Sequence, residues 1–189
     1  MRIIAGEFKG TTLNQTNNKA TRPLKDRAKE GIFNLLIHSN KITFPFEKAN
    51  VLDLYAGTGS FGLECLSRNA KNVCFVENDK ETIKILEKNI KKINLKKKTH
   101  IFCDNVLDLI KQKNIFESKF DLIFCDPPFG DKNIDRLIQC IKKSDLLSKN
   151  GIIILHRKKS TNERFPIFFE IIDERIYGIS NIIFGKILF

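Results

Sequence analysis

From residue 50 onward, four short apolar runs each end in an acid: Val51-Leu52 before Asp53, Val73 to Val76 before Glu77, Ile101 to Cys103 before Asp104, and Phe120 to Cys125 before Asp126. Runs of this length, rich in Val, Ile and Phe, read as buried strands. Between them lie segments with apolar residues at helical spacing: Leu63 and Leu66, then Ile83, Leu86, Ile90 and Ile93, then Val106, Leu109 and Ile110. Ile134, Leu137, Ile138 and Ile141 mark a further helix, and Gly151 to Leu155 a fifth strand. Alternation of strand and helix predicts an α/β fold built on a doubly wound, mainly parallel sheet. The strand carboxyl ends of such a sheet share one edge, so Asp53, Glu77, Asp104 and Asp126 are expected to converge there. The Ile- and Phe-rich stretches 165–177 and 179–189, broken at Gly178, read as an antiparallel closing pair.

The N-terminal part has a different texture. Residues 2–13 suggest a small hairpin around Gly6 to Gly10 that carries Arg2 and Lys9, and Asn14 to Lys19 reads as a mobile polar loop. Ala28, Ile32, Leu35 and Leu36 predict a helix from about Lys25 to His38 that exposes Arg27 and Glu30. Asn78 with Glu81 is a plausible capping pair for a later helix. No linker divides the chain, so one domain over 1–189 is expected, with an N-terminal extension and helix at 1–40 and a core at 50–189. A formal charge of +11 points to a polyanionic partner. Of the 33 basic residues 25 are Lys, and Ile and Asn are also abundant, so A/T-rich codon use supplies part of that charge. Individual Arg positions therefore weigh more than Lys runs. Five scattered cysteines fit small buried thiols in a reduced cytoplasm, and the chain has neither a signal-peptide core nor a membrane-length apolar run.

Two motifs carry chemistry. The turn Gly57-x-Gly59-x-x-Gly62 fits the dinucleotide fingerprint, with Glu77 twenty residues after Gly57. Asp53, just before the turn, opposes a pyrophosphate but favours S-adenosylmethionine (SAM), which has no phosphate and carries an ammonium and a sulfonium. In Asp126-Pro127-Pro128-Phe129 the two prolines fix φ and donate nothing, so the backbone leaves the strand stiffly with free carbonyls. An acid, a bare carbonyl and an aromatic ring held together suit a planar amine; the plainer reading is a turn after a buried strand.

Asp53-Leu54-Tyr55-Ala56-Gly57-Thr58-Gly59 together with Asp126-Pro127-Pro128-Phe129 resembles the class I SAM-dependent methyltransferases that act on exocyclic amines. Met1 to Gly6, Thr21-Arg22-Pro23 with Asp26, Arg27 and Glu30, and Leu63-Glu64-x-Leu66-Ser67-Arg68-x-Ala70 resemble the bacterial 16S ribosomal RNA guanine-N2 methyltransferase family of the RsmD type. The likeness spans nearly the whole chain, and Leu24-Lys25 departs from it where small hydroxyl residues are expected. It implies a Rossmann-like fold with a seven-stranded sheet ending in an antiparallel hairpin, SAM as cofactor and no metal. Asp53, Ala56, Gly57, Thr58 and Gly59 would hold the methionine part, Glu77 the ribose, and Asp104 with Asn105 the adenine. Asp126 and the Pro127 carbonyl would accept the amine N–H groups, Pro128 would stiffen the turn, and Phe129 would stack on the base. Arg2, Arg22, Arg27, Arg157 and Lys158 would meet RNA phosphates. The implied partner is 16S rRNA, within the small ribosomal subunit or its assembly intermediate, met by a monomer. A DNA adenine-N6 methyltransferase, an NAD-dependent oxidoreductase and a non-catalytic RNA-binding module are the competing functions that these residues leave open.

Overall fold

The computed structural model describes residues 1–16, 24–42, 44–112, 114–160 and 163–188. Its elements follow in the order α1 (Asp26–His38), β1 (Asn50–Leu54), α2 (Ser60–Ser67), β2 (Asn72–Glu77), α3 (Lys80–Lys92), β3 (Thr99–Cys103), α4 (Val106–Ile110), β4 (Phe120–Cys125), α5 (Ile134–Lys143), β5 (Leu147–Lys158), β6 (Phe169–Tyr177) and β7 (Ser180–Ile187). The strands form a seven-stranded sheet in the order β3-β2-β1-β4-β5-β7-β6. β1 to β5 are parallel, and β7 runs antiparallel between β5 and β6. This is the doubly wound, Rossmann-like α/β architecture with a C-terminal antiparallel hairpin, as the strand and helix alternation predicts. The strand order reverses between β1 and β4, which opens a crevice above their carboxyl ends.

Side chains along a strand alternate between faces, and the core divides accordingly. Val51, Val73, Phe75, Leu122, Phe124, Ile152 and Ile154 pack with α1, α2 and α3, whereas Leu52, Leu54, Val76, Ile123, Cys125, Ile153 and Leu155 pack with α4 and α5. On the first face Phe61 of α2 stacks on Phe124 with ring centroids 3.9 Å apart, and Phe33 of α1 stacks on Phe61 at 5.2 Å.

The N-terminal hairpin forms, though with a single bridge between Arg2 and Thr12. Buried Ile3 and Leu13 join it to the first core. Glu64, fully buried in α2, accepts the N–H groups of Ile4 at 2.7 Å and Ala5 at 3.0 Å and pairs with Arg68. Buried Lys29 of α1 donates to the Arg2 carbonyl at 2.7 Å and to Ser60 Oγ at 3.1 Å, with Glu64 3.7 Å away. Burial lowers the Lys29 ammonium from its ordinary value, and Glu64 opposes that fall. Ser67 Oγ donates to the Ala5 carbonyl and accepts from the Phe8 N–H. At Gly6, where φ is +82°, a Cβ would lie 1.8 Å from the Ser67 carbonyl oxygen, so close docking requires glycine. The family-like Glu64, Ser67 and Arg68 thus fasten the N-terminus.

Three local expectations change. Asn14, placed by its polarity in a mobile loop, is held through its backbone by the buried Asn89 amide; residues 17–19 of that loop lie outside the described residues. Asp79, rather than Asn78 with Glu81, caps α3 by accepting from the Thr82 N–H. Of the five free cysteines only Cys65 and Cys125 are buried, and Cys103 is exposed, because its strand lies at the sheet edge. No helix among the described residues is long and apolar enough to cross a membrane.

Candidate active site

The parallel register places Asp53 beside Phe75 on one side and Phe124 on the other, so the tips of β1, β2 and β4 stand together. A cleft of about 810 Å³ opens at this edge, a volume suited to a cofactor-sized ligand. Asp53, Tyr55, Ala56, Gly57, Thr58 and Glu77 line one part, and Asp126, Pro127, Pro128, Phe129 and His156 line another. Met1, Gln15, Thr16 and Leu24 form a wall of the same cleft, so the N-terminal segment borders the site.

The glycine turn is shaped by its backbone. Gly57 and Gly59 have φ of +54° and +83°, and non-glycine Tyr55 stands at +60°, a sparsely populated conformation that redirects the chain away from β1. Asp53 is 1% exposed and its Oδ2 accepts the Gly62 N–H at 2.9 Å, which anchors the start of α2. Burial pushes the Asp53 carboxyl well above the usual carboxylate range, partly offset by the Gly62 N–H; the neighbouring Asp126 and Glu77 charges add to the rise. Glu77 accepts from Gly57 N–H through Oε2 at 2.8 Å and from Asn78 and Asp79 N–H through Oε1 at 2.9 and 3.0 Å. The loop N–H that would greet a phosphate is therefore already bonded to a carboxylate. Three acids in a buried cleft favour a cation, so the donor set fits a ligand bearing ammonium and sulfonium groups and disfavours a pyrophosphate.

At the β4 tip, the Asp126 N–H donates to the Leu54 carbonyl, which ties the loop to β1. The Pro128 carbonyl accepts from Asp131 N–H at 2.8 Å and from Arg157. The Pro127 carbonyl accepts no hydrogen bond from the described residues. One side-chain oxygen of Asp126, Oδ1, lies 2.8 Å from Nδ1 of His156. The ring N–H direction is off the line a well-formed hydrogen bond needs, since Nδ1 has no aligned partner. The other nitrogen, Nε2, is 2.8 Å from Ser180 Oγ. Phe129 meets the His156 ring edge-on, with centroids 5.4 Å apart.

Several predicted positions move. Arg157, assigned to RNA phosphate, is 1% exposed. Its guanidinium is consumed by Glu163 and by the carbonyls of Pro128 and Asp131, so it braces the Asp126 to Asp131 loop from beneath. Arg27 lies in a separate shallow depression with Glu30, Arg175 and Tyr177, away from the cleft, because its face of α1 turns toward the C-terminal hairpin. Asp104 does not line the cleft; its Oδ1 turns back to the Asn105 N–H at 2.7 Å. Asn105 does line it, while its Oδ1 caps α4 through the Leu107 and Asp108 N–H groups. Gly59 serves as the N-terminal cap residue of α2 and is not among the lining residues. Arg2 is exposed next to Met1 at the cleft wall, and Lys158 is exposed at the end of β5. Arg22 lies outside the described residues. Among the described residues no group of acids, histidines and cysteines has the arrangement of a metal site.

His156, Asp131 and Asn133 also line the cleft without having been singled out from sequence. A signal for His156 existed: it stands two residues beyond Ile154, as Asp126 stands two beyond Phe124, and the register pairs those two residues. The fifth strand is expected beside the fourth from sequence, but the register that sets His156 next to Asp126 comes only from the structure.

The fold and this crevice define a class I methyltransferase. Conserved hypothetical protein 95, the family matched over residues 1–186, is the RsmD family of rRNA methyltransferases, and the chain belongs to it. Ribosomal RNA small subunit methyltransferase D of Haemophilus influenzae is 33% identical over 181 residues, covering 95% of this chain and 90% of the relative. The solved structure of yhhF from Escherichia coli superposes with a TM-score of 0.85 at 23% identity, covering 100% of this chain and 98% of that one. The SAH-bound methyltransferase PaMTH1 of Podospora anserina shares the fold more distantly, with a TM-score of 0.50 at 21% identity over 57% of this chain and 45% of its own.

Proposed function

We propose that the protein transfers a methyl group from SAM to the exocyclic N2 of a guanine in 16S rRNA. SAM supplies an electrophilic methyl group when bound. The observation that carries the reading is the placement of Asp126, with the Pro127 carbonyl, unengaged among the described residues, next to it, across the β1/β4 switch point from the buried Asp53. Asp53 and the Ala56 to Thr58 backbone are the residues for the methionine part, Glu77 for the ribose and Asn105 for the adenine edge. Glu77 already accepts three N–H bonds, but two carboxylate oxygens have about four acceptor sites, so a ribose hydroxyl can still be bound.

The amine chemistry follows from the acceptors. The lone pair of an aryl amine is delocalised into its ring, and acceptors at both N–H groups favour a tetrahedral nitrogen whose lone pair is directed. Asp126 and the Pro127 carbonyl are such acceptors, and they are preorganised where positive charge develops. Phe129 provides a face for the base, which must be unpaired or flipped out to reach them. Arg2, next to the cleft-lining Met1, and Lys158, exposed at the end of β5, are the candidates for phosphate contact, which positions RNA without reading sequence. We assign the substrate to the small subunit or its assembly intermediate, met by a cytoplasmic monomer whose N-terminal segment and core work as one domain. Burial of Ile3 and Leu13 in the shared core supports that last point.

Purified protein is expected to transfer labelled methyl from SAM to 16S rRNA or subunits that lack the modification, with mass spectrometry of the digested RNA finding N2-methylguanine. Label on DNA adenine alone overturns the reading. NAD binding without SAM binding overturns it in favour of an oxidoreductase, and RNA binding without turnover overturns it in favour of a non-catalytic binding module.

A further inference from the structure

We infer that His156 is a positioning residue for methyl transfer, holding the Asp126 carboxylate through Nδ1–H while Ser180 fixes its ring from the other side. His156 is 3% exposed, yet both ring nitrogens lie within 2.8 Å of a side-chain oxygen, Asp126 Oδ1 at one and Ser180 Oγ at the other. Ionised Asp126 only accepts hydrogen bonds, so a nitrogen this close must carry the proton if the contact is attractive. A neutral ring then has a bare Nε2, which accepts from the Ser180 hydroxyl; a charged ring donates to both. Nδ1 is protonated in either state. Aligning Nδ1–H with Oδ1 requires the ring to turn, and the Ser180 hydroxyl can rotate to follow it at Nε2.

The fold makes this contact by register. Phe124 pairs with Ile154 and Cys125 with Leu155, which leaves Asp126 and His156 as successive neighbours on the same sheet face. Ser180, diagonal to His156 on β7, brings in the C-terminal hairpin. With Oδ1 held, Oδ2 is the oxygen left to receive an amine N–H. The imidazole also stands nearly perpendicular to the Phe129 ring, with centroids 5.4 Å apart, so one side chain sets both the acid and the stacking ring. Without it, a carboxylate near Asp53 and Glu77 would turn toward solvent.

This inference rests on Asp126 as the amine acceptor, and the experiment separates the two. His156→Leu, which keeps volume and removes the donor, is expected to lower kcat about 30- to 100-fold at saturating SAM, with KM for SAM within threefold of wild type. His156→Asn, whose amide N–H can stand near the Nδ1–H position, is expected to recover at least tenfold of that loss. Ser180→Ala should cost about three- to fivefold. A purely structural role predicts equal losses for Leu and Asn that follow the folded fraction, measured by SAM binding. Nitrogen-detected NMR on the wild-type protein, with three histidines in all, is expected to show His156 protonated at Nδ1. A neutral ring protonated only at Nε2 overturns the inference, whatever the activity. So does His156→Leu with wild-type kcat while Asp126→Ala has lost turnover. If Asp126→Ala instead retains turnover, the amine-acceptor reading fails, and this role for His156 falls with it.

Discussion

The two halves of the cleft hold their acids by different means. In the cofactor half, Asp53 and Glu77 are bonded by backbone N–H groups that lie near them in sequence or in the facing turn: Gly62 for the first, Gly57, Asn78 and Asp79 for the second. In the half that we assign to the amine, Arg157, about thirty residues later on β5, braces the loop after Asp126 through the Pro128 and Asp131 carbonyls, and by our inference His156, backed by Ser180 on β7, holds Asp126 itself. The first half is built by turns and the second by strand neighbours. The first can form with its local turn, while the second requires the sheet to close. Damage to β5 should therefore affect turnover before SAM binding.

The largest contrast is expected from Asp126→Ala, which should lower kcat by roughly a thousandfold, the scale of a preorganised transition-state contact, with the SAM dissociation constant within about threefold; equal loss of both would erase the distinction between the halves. Arg157→Met comes next. It strips Glu163 and two loop carbonyls of a buried partner, and by the cost of breaking buried pairs should destabilise the fold by roughly 3 kcal/mol, lowering Tm by about 6 to 12 °C. Turnover by the folded fraction should also fall about tenfold. Calorimetry and initial rates read these, and an unchanged Tm would mean that Arg157 is not a brace.

Asp53→Asn sharpens the other half. The amide can still accept the Gly62 N–H but provides no charge, so SAM affinity should fall about thirtyfold by isothermal titration at a pH where the wild-type carboxyl is ionised. The folded carboxyl has a raised pKa, so the native state binds its proton more tightly than the unfolded state does. Its contribution to stability is present at low pH and is lost as pH rises from the ordinary value of 3.8 through the raised folded value. Asp53→Asn should accordingly raise Tm by a few degrees above that window and change it little below. SAM affinity of the wild type should rise with pH across the same window, because the cation binds the ionised acid. The smallest effect is expected from Asp104→Ala, with the SAM dissociation constant within twofold of wild type, since that side chain does not line the cleft.

How much was legible from sequence follows the same division. Asp53, the glycine turn and Glu77 were readable because an apolar run, a glycine at positive φ and an acid at a strand tip are all local patterns. Asp104, expected at the shared edge by that same logic, is not among the cleft-lining residues. A strand-tip acid points to the shared edge, but here it is Asn105 that reaches the cleft while also capping α4. Arg157 reads as solvent-facing until its neighbours are known, whereas Arg27 is exposed as expected but on a face of α1 away from the cleft. Glu64 and Lys29 show the same difficulty in the N-terminal part, where a residue that looks like part of a charged helix face is fully buried against a hairpin.

By itself the sequence determined the α/β class, the edge at which the strand tips carry acids and a stiff Asp126 to Phe129 turn after the fourth strand. Each depends on apolar spacing and backbone restrictions that act over a few residues. The tertiary structure decided which acids face the cleft, that Arg157 works inside the protein and that His156 stands beside Asp126. Those outcomes depend on strand order and register, and a single side chain changes from solvated charge to buried strut according to what packs around it.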